Sequence, residues 1–287
     1  MSASQVKLLE GKVLAKEIRE QIKIEVEGFT AKGMETPRLV ALRVADDAAS
    51  DWYLDQQAKW AEKLGMRFER VDVQPAAEAN LRDKIKRVNA DGDCHGVFVT
   101  MPLPKGIDPD ILLELDPKKD VEGVHPANLG LIVLRRAKLV PSTALAAFRL
   151  IESTGANLRG MNAVIIGQSA IVGRPLNLLL GEKRVTTTVC NTGTSAELLE
   201  KSVRAAQIVI ACAGQPGMVK GDWIRSGAIV IDVGTTEVDG KLVGDVEFAA
   251  ASERADYITP VPGGVGPLTV TMLMQNLVTA YKWQKSL

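Results

Sequence analysis

Histidine is almost absent from this sequence of 287 residues: only His95 and His125 occur. A zinc centre built from several imidazoles is therefore excluded, and no metal is expected. Aromatic residues make up 4% of the chain, too few for base-stacking platforms or aromatic cages. The three cysteines, Cys94, Cys190 and Cys212, show no C-x-x-C spacing. They read as reduced thiols in or near a core, in a reducing compartment. Neither sign of charge is in excess, with 35 Lys and Arg against 35 Asp and Glu. That balance argues against a nucleic-acid binder working through bulk positive charge. No stretch reaches the ~18 consecutive apolar residues of a membrane span. Met1 to Lys12 lack the apolar core of a signal peptide. A cytoplasmic location is the expectation, with neither membrane nor nucleic acid as a partner.

What remains is the mixture of a globular protein: 46% apolar and 24% charged residues. The length suits about two domains of ~150 residues. Hydrophobic spacing predicts a helix from Gly11 to Phe29, in which Val13, Leu14, Ile18, Ile22, Ile24 and Val26 recur at helical intervals. Strands are expected at 37–44, 67–73 and 96–99, with helices at 50–64 and 77–88 between them. The third strand runs into Met101-Pro102-Leu103-Pro104, where proline forces the chain out of the sheet. This β-α-β-α-β order implies a parallel sheet covered by helices. A second series begins near Asn162, with strands at 163–166, 186–189, 208–211 and 228–231 and a closing helix from Leu268 to Trp283. The two series are expected to be separate domains joined around 140–151.

Gly167-Gln168-Ser169-Ala170-Ile171-Val172-Gly173 lies between a buried strand and a helix. Glycines there let backbone approach a phosphate, and the helix start offers free N–H groups. A dinucleotide pyrophosphate suits that context, although the spacing is not G-x-G-x-x-G and a plain tight turn reads equally well. After the next strand, Cys190 to Thr194 offers neither an acid for a free ribose 2′-hydroxyl nor an Arg for a 2′-phosphate. Thr192, Thr194 and Ser195 are able to bond either form, and Thr194 or Ser195 also suits a helix N-cap.

Val261 to Thr269 is a far more particular string, with Pro262, Gly263, Gly264, Gly266 and Pro267 at the entry to a helix. Ser50-Asp51-Trp52-Tyr53, Pro102-Leu103-Pro104, Asp120-Val121-Glu122-Gly123, Gly167 through Pro175, Ile231 to Gly234 and Gly244-Asp245-Val246 precede it. In these motifs and their order the chain resembles the methylenetetrahydrofolate dehydrogenase/cyclohydrolase family over nearly its whole length. The resemblance implies an α/β fold of two domains: an N-terminal three-layer α/β catalytic domain and a Rossmann-like dinucleotide-binding domain. Residues 1–140 with 270–287 would form the folate-binding domain, and 141–269 the dinucleotide domain. It further implies an active site in the cleft between domains and a homodimer paired through the dinucleotide domain. The substrate would be a tetrahydrofolate derivative and the cofactor NADP, with NAD as the alternative.

By the same resemblance, Tyr53, Val99, Pro102, Leu103, Pro262, Gly263 and Gly264 would bind folate. Thr143, Gly167, Gln168, Ser169, Ile171, Val172, Thr192, Thr194, Asp232, Gly234 and Thr235 would bind the dinucleotide. Tyr53 also reads as core packing, and Asp232 and Asp245 as turn caps; His125 reads as structural or rim-lining. The catalytic set, Gln57, Thr100, Glu122 and Lys59, departs from the family pattern. Gln57 stands at the catalytic Lys of Y-x-x-x-K-x-K, while Tyr53 and Lys59 match. Thr100 replaces the Gln of V-Q-L-P-L-P, and Glu122 replaces the second Asp of D-V-D-G. Hydride transfer needs alignment, because folate nitrogens stabilise the developing cation. Hydrolysis of that cation needs protons moved, and an amide at 57 exchanges none near neutral pH. The expected activity is methylenetetrahydrofolate oxidation with cyclohydrolase weak or lost. A fully bifunctional enzyme, a catalytically silent folate-binding homologue and an altered one-carbon substrate are the rivals.

Overall fold

The computed structural model describes residues 6–44, 48–74 and 76–287. In chain order the elements are β1 (Lys7–Leu8), α1 (Gly11–Ala31), β2 (Arg38–Arg43), α2 (Ala48–Lys63), β3 (Arg67–Asp72), α3 (Glu78–Ala90) and β4 (Gly96–Val99). Then come α4 (Pro126–Val133), α5 (Ser142–Ser153), β5 (Asn162–Ile166), α6 (Gly173–Glu182), β6 (Thr186–Cys190), α7 (Ala196–Ala205) and β7 (Ile208–Ala211). The chain closes with β8 (Ile229–Asp232), β9 (Thr236–Val238), β10 (Lys241–Val243), α8 (Phe248–Ser252), β11 (Tyr257–Ile258) and α9 (Val265–Lys285). They form two compact units. One holds Glu17–Ser142 and Val270–Leu287; the other holds Thr143–Thr269 with the described residues up to Lys16. No described helix is long and apolar enough to cross a membrane.

The first unit carries a parallel sheet of order β3-β2-β4. Central β2 is nearly all buried, whereas β3 at the edge exposes Arg67, Glu69, Arg70 and Asp72. Charged side chains along an edge strand discourage pairing with another chain. Val40 and Leu42 of β2 pack with Leu81, Ile85 and Val88, the apolar stripe of α3. Alanine at such a site typically costs ~2–5 kcal/mol. In α1 the buried stripe is Ala15, Ile18, Ile22, Val26 and Phe29. Val13 and Ile24, counted in the helical repeat, face solvent. Beyond β4, Val97 N–H donates to Lys119 O (2.7 Å) and Val121 N–H to Val97 O (3.4 Å). The chain at 119–121 thus runs beside β4 and delivers Glu122 to the sheet's end. Asn276 of α9 secures that run, donating to the Val121 and Val140 carbonyls at 2.8 Å each.

The second unit carries a parallel sheet of order β1-β11-β8-β7-β5-β6. Its inner strands read as continuous apolar runs because helices cover both faces of such a sheet. Val164, Val209 and Val230 pack with Leu199 and Val203 of α7. β1 explains why the residues before Glu17 join this unit and not the first, where the sequence put them. Lys7 and Leu8 pair with Tyr257 and Ile258, and Gly11 N–H donates to Gly263 O at 3.0 Å.

Candidate functional sites

Strand order reverses beside β2 in one parallel sheet and beside β5 in the other. β3 and β4 flank β2, and β6 and β7 flank β5. Ligands of open parallel sheets bind outside the carboxyl ends of strands at such a reversal. At the ends of β2 and β4, Thr100 Oγ accepts the Val44 N–H at 3.1 Å. α2 then presents Tyr53 and Gln57, one helical turn apart and so on one face. Its first turn is anchored by Arg43, a nearly buried side chain that grips both carboxylate oxygens of Asp51 at 2.8 and 3.0 Å.

The Tyr53 ring meets Phe98 edge-on, with centroids 5.7 Å apart. Its hydroxyl donates to Glu122 Oε1 at 3.2 Å. The Gln57 side chain is 0% exposed, and neither its Oε1 nor its Nε2 has a hydrogen-bond partner among the described residues. It lies beside the Tyr53 hydroxyl, favouring the phenol's ionised form, without completing a bond to it. A buried amide with both ends unpaired costs stability unless a ligand supplies the partners.

The loop carrying Glu122 is held by Asp120. That carboxylate accepts from Gly123 N–H (3.1 Å), His125 N–H (2.8 Å) and Asn128 Nδ2 (2.9 Å). Gly123 has φ of 73°, and a Cβ there would lie 2.4 Å from the Val140 carbonyl carbon. Any side chain would therefore displace the loop. Burial, and then the Asp120 charge, push the Glu122 carboxyl up to about 7, with Tyr53 pulling it partly back. Asp120 is itself raised, by burial, against the pull of its hydrogen bonds.

The structure thus brings Tyr53, Gln57 and Glu122 together, with Thr100 and Val99 at the neighbouring strand end and Pro102 and Leu103 in the loop that follows. Lys59 does not join them. It is exposed on α2, two residues beyond Gln57 and so about 200° round the helix. The Thr100 hydroxyl closes the sheet end by accepting the Val44 N–H and keeps its own O–H to donate. His125 caps α4, accepting the Ala127 N–H at 3.1 Å. Asp120 belongs to a motif that the sequence offers without a role for it, and its place three residues before a glycine is the signal of a turn-organising carboxylate.

The second unit has a cavity of about 670 Å³ at the ends of β5, β6 and β7. Gly167, Gln168, Ser169, Thr192 and Thr194 line it, with Cys190, Asn191, Cys212, Ala213, Gln215 and Met218, which sequence reasoning left out. Gly167, at φ of 122°, comes so near the next loop that a Cβ would lie 2.4 Å from the Cys212 carbonyl oxygen. Ser169 Oγ accepts the Val172 N–H at 3.1 Å, and Val172, at the start of α6, offers no side-chain cap. Close backbone beside an uncapped helix start fits a pyrophosphate. Thr194 Oγ accepts the Asn191 N–H at 3.0 Å, while Ser195 is the N-cap of α7, bonded to Leu198 N–H at 3.2 Å.

Other residues assigned to the dinucleotide stand outside the cavity wall. Ile171 is exposed and Val172 buried; Thr143 lies in the first turn of α5, and Thr235 is exposed. Asp232 is spent on backbone: Oδ1 accepts from Gly234 and Asp245 N–H at 3.0 Å each, and Oδ2 from Val246 N–H at 2.9 Å. Burial raises its carboxyl to about 6. It holds the loop after β8, with Gly234 packed against Asp245. Pro262, Gly263 and Gly264 form the turn into α9 on this same unit, bonded to the start of α1.

Residues 9–122 match the catalytic domain described as "Tetrahydrofolate dehydrogenase/cyclohydrolase", and 141–285 match that family's NAD(P)-binding domain. A relative from Myxococcus xanthus, "Bifunctional protein FolD 2", is 43% identical over 276 residues, covering 95% of each chain. Among solved structures, a Trypanosoma brucei methylenetetrahydrofolate dehydrogenase-cyclohydrolase complexed with NADP and inhibitor superposes with a TM-score of 0.92. It is 35% identical, covering 98% of this chain and 99% of that one. A silkworm (Bombyx mori) methylenetetrahydrofolate dehydrogenase also gives 0.92, at 33% identity, covering 98% of this chain and all of that one.

Proposed function

Starting from a chain that belongs to the tetrahydrofolate dehydrogenase/cyclohydrolase family, and so is a methylenetetrahydrofolate dehydrogenase with an NAD(P)-binding domain, we propose that its cyclohydrolase activity is weak or lost. The observation that carries this is Gln57, at the position where the family resemblance puts a catalytic Lys. Its buried amide has no hydrogen-bond partner among the described residues and suits fixed hydrogen bonding to a folate ring. It has no proton to exchange near neutral pH.

The nicotinamide ring, when bound, accepts the hydride. This chain's residues do the rest. Tyr53 stacks on the folate ring system, Gln57 and Glu122 bond its polar edge, and Val99, Pro102 and Leu103 border it. Gly167, Ser169, Thr192 and Thr194 hold the dinucleotide. Folate belongs to the unit of residues 17–142 and 270–287, and the dinucleotide to the other. NADP is slightly preferred over NAD. The enzyme is a cytoplasmic homodimer paired through its dinucleotide domain, without nucleic-acid or membrane partners. Loss of a general acid–base group typically costs ~10²–10⁴-fold, and only hydrolysis moves protons.

Two assays test this. With methylenetetrahydrofolate and NADP or NAD, the reduced dinucleotide accumulates. With methenyltetrahydrofolate, decay stays near the enzyme-free rate, and Gln57→Lys accelerates it. Fast decay with the unaltered enzyme would sink the proposal in favour of a bifunctional enzyme. Folate binding without dinucleotide reduction would instead mark a silent homologue.

A further inference from the structure

Around Tyr53 and Gln57 the described side chains bring negative charge and no positive charge. Tyr53 Oη is 3.2 Å from the Glu122 carboxylate, and Asp120 lies two residues back on the same loop. Of the elements against that loop, α2 brings the Tyr53 phenol and the neutral Gln57 amide. The start of α5 brings Ser142, whose N–H reaches the Glu122 carbonyl at 3.3 Å, and α9 the neutral Asn276, held on Val121 O. His125 follows in the loop and bonds the Asp120 carboxylate through its backbone. Arg43, under the first turn of α2, is paired with Asp51, and Lys59 lies on another face of the helix.

Hydride removal changes the charge of the folate. The C–H bond of the one-carbon bridge breaks with both electrons leaving for the dinucleotide. No proton is released, and the bridge keeps a full positive charge shared with its two nitrogens. A fixed anion nearby lowers the energy of that cation more than that of the neutral reactant.

We infer that the Glu122 carboxylate, oriented by Tyr53, is the charge that sets how strongly this site favours the methenyl cation and so the oxidative direction. The inference rests on the dehydrogenase reading above and adds a specific residue and a pH dependence to it. Because burial and Asp120 raise this carboxyl to about 7, its charge appears within the neutral range. Neutral Gln57 does not oppose it.

The test is the pH profile of dinucleotide reduction from pH 5.5 to 8.5 for the unaltered enzyme, Glu122→Gln and Glu122→Asp. A charge at this range implies that kcat/KM of the unaltered enzyme rises on the order of 10- to 100-fold and levels off above pH 8. Glu122→Gln should stay flat at the low plateau, and Glu122→Asp should keep a rising limb. Fluorescence titration with methenyltetrahydrofolate and with tetrahydrofolate gives a second readout. The unaltered enzyme should prefer the cation more at pH 8 than at pH 6, a shift that Glu122→Gln abolishes. A flat profile together with an unchanged Glu122→Gln overturns the inference, as does a flat Glu122→Asp. If folates bind but no dinucleotide is reduced at any pH, the dehydrogenase reading fails instead, and the titration still decides the charge preference.

Discussion

The Val44 N–H ends on the Thr100 hydroxyl, 3.1 Å away, joining the carboxyl ends of two neighbouring strands where the sheet reverses order. Thr100 is 3% exposed, and its own N–H reaches Leu42 O at 3.0 Å. The residue therefore locks the carboxyl ends of β2 and β4 together. Thr100→Val keeps the volume but leaves a buried N–H unpaired, and should cost about 1–3 kcal/mol in urea unfolding. Thr100→Ser should stay within about 1 kcal/mol of the parent.

The same pair shows which parts of the site were legible. Tyr53 and Gln57 are four residues apart on an amphipathic helix, so their shared face follows from local geometry. The task of Thr100 depends on Val44, which is 56 residues away and is brought close only by the β2–β4 register. Lys59 shares a motif with Gln57 but not a helix face. The bounds of β7 follow from its sequence because a continuous apolar run marks it. β1 was missed because two exposed residues become a strand only by pairing with β11, some 250 residues later. The short hairpin of β9 and β10 was missed too, since mostly exposed residues carry little hydrophobic pattern.

Among the described residues, no charged side chain lines the cavity at the ends of β5, β6 and β7. A 2′-phosphate gains no charge-assisted bond there, and a 2′-hydroxyl finds no carboxylate. Discrimination should therefore be shallow, with calorimetric Kd values for NADP and NAD within about 10-fold of each other. Thr192→Arg adds a guanidinium to the wall and should move the ratio toward NADP by about 10-fold. An unaltered enzyme with a strong preference would show that charges from outside this wall reach the ribose.

Asp232 and Asp245 look alike in sequence but differ in how their oxygens are used. The Asp232 carboxylate accepts from backbone N–H groups on both oxygens. Asp245 Oδ2 takes the N–H groups of Ala213 and Gly214 at 2.7 and 2.9 Å, while its Oδ1 is buried without a partner among the described residues. Asp232→Asn must aim an NH₂ group at a donor, and should cost about 1–3 kcal/mol. Asp245→Asn is able to place its NH₂ at the free position, so it should change stability by under about 1 kcal/mol. Thermal unfolding of the two variants side by side checks the contrast.

The Glu122 carboxyl also links stability to pH, and the sign opposes its proposed service to catalysis. Its value is raised from 4.5 to about 7 in the folded protein. Between those limits the folded state keeps a proton that the unfolded chain has released, so stability falls as pH rises. This contribution is complete below about pH 4.5 and lost above about pH 7. Asp232, raised from 3.8 to about 6, acts in the same sense. Asp93, lowered to about 2 chiefly by its bond to Arg67, acts oppositely, losing stability only in strong acid. Comparing Glu122→Gln with the parent isolates the one group. The two should be about equally stable at pH 4.5, and the variant should gain on the order of 2 kcal/mol over the parent at pH 8. A variant more stable at pH 8 yet slower in hydride transfer would mean that the site holds a costly charge because the cationic product needs it. Equal stability at both pH values would mean that Glu122 ionises in the folded protein as it does in the unfolded chain.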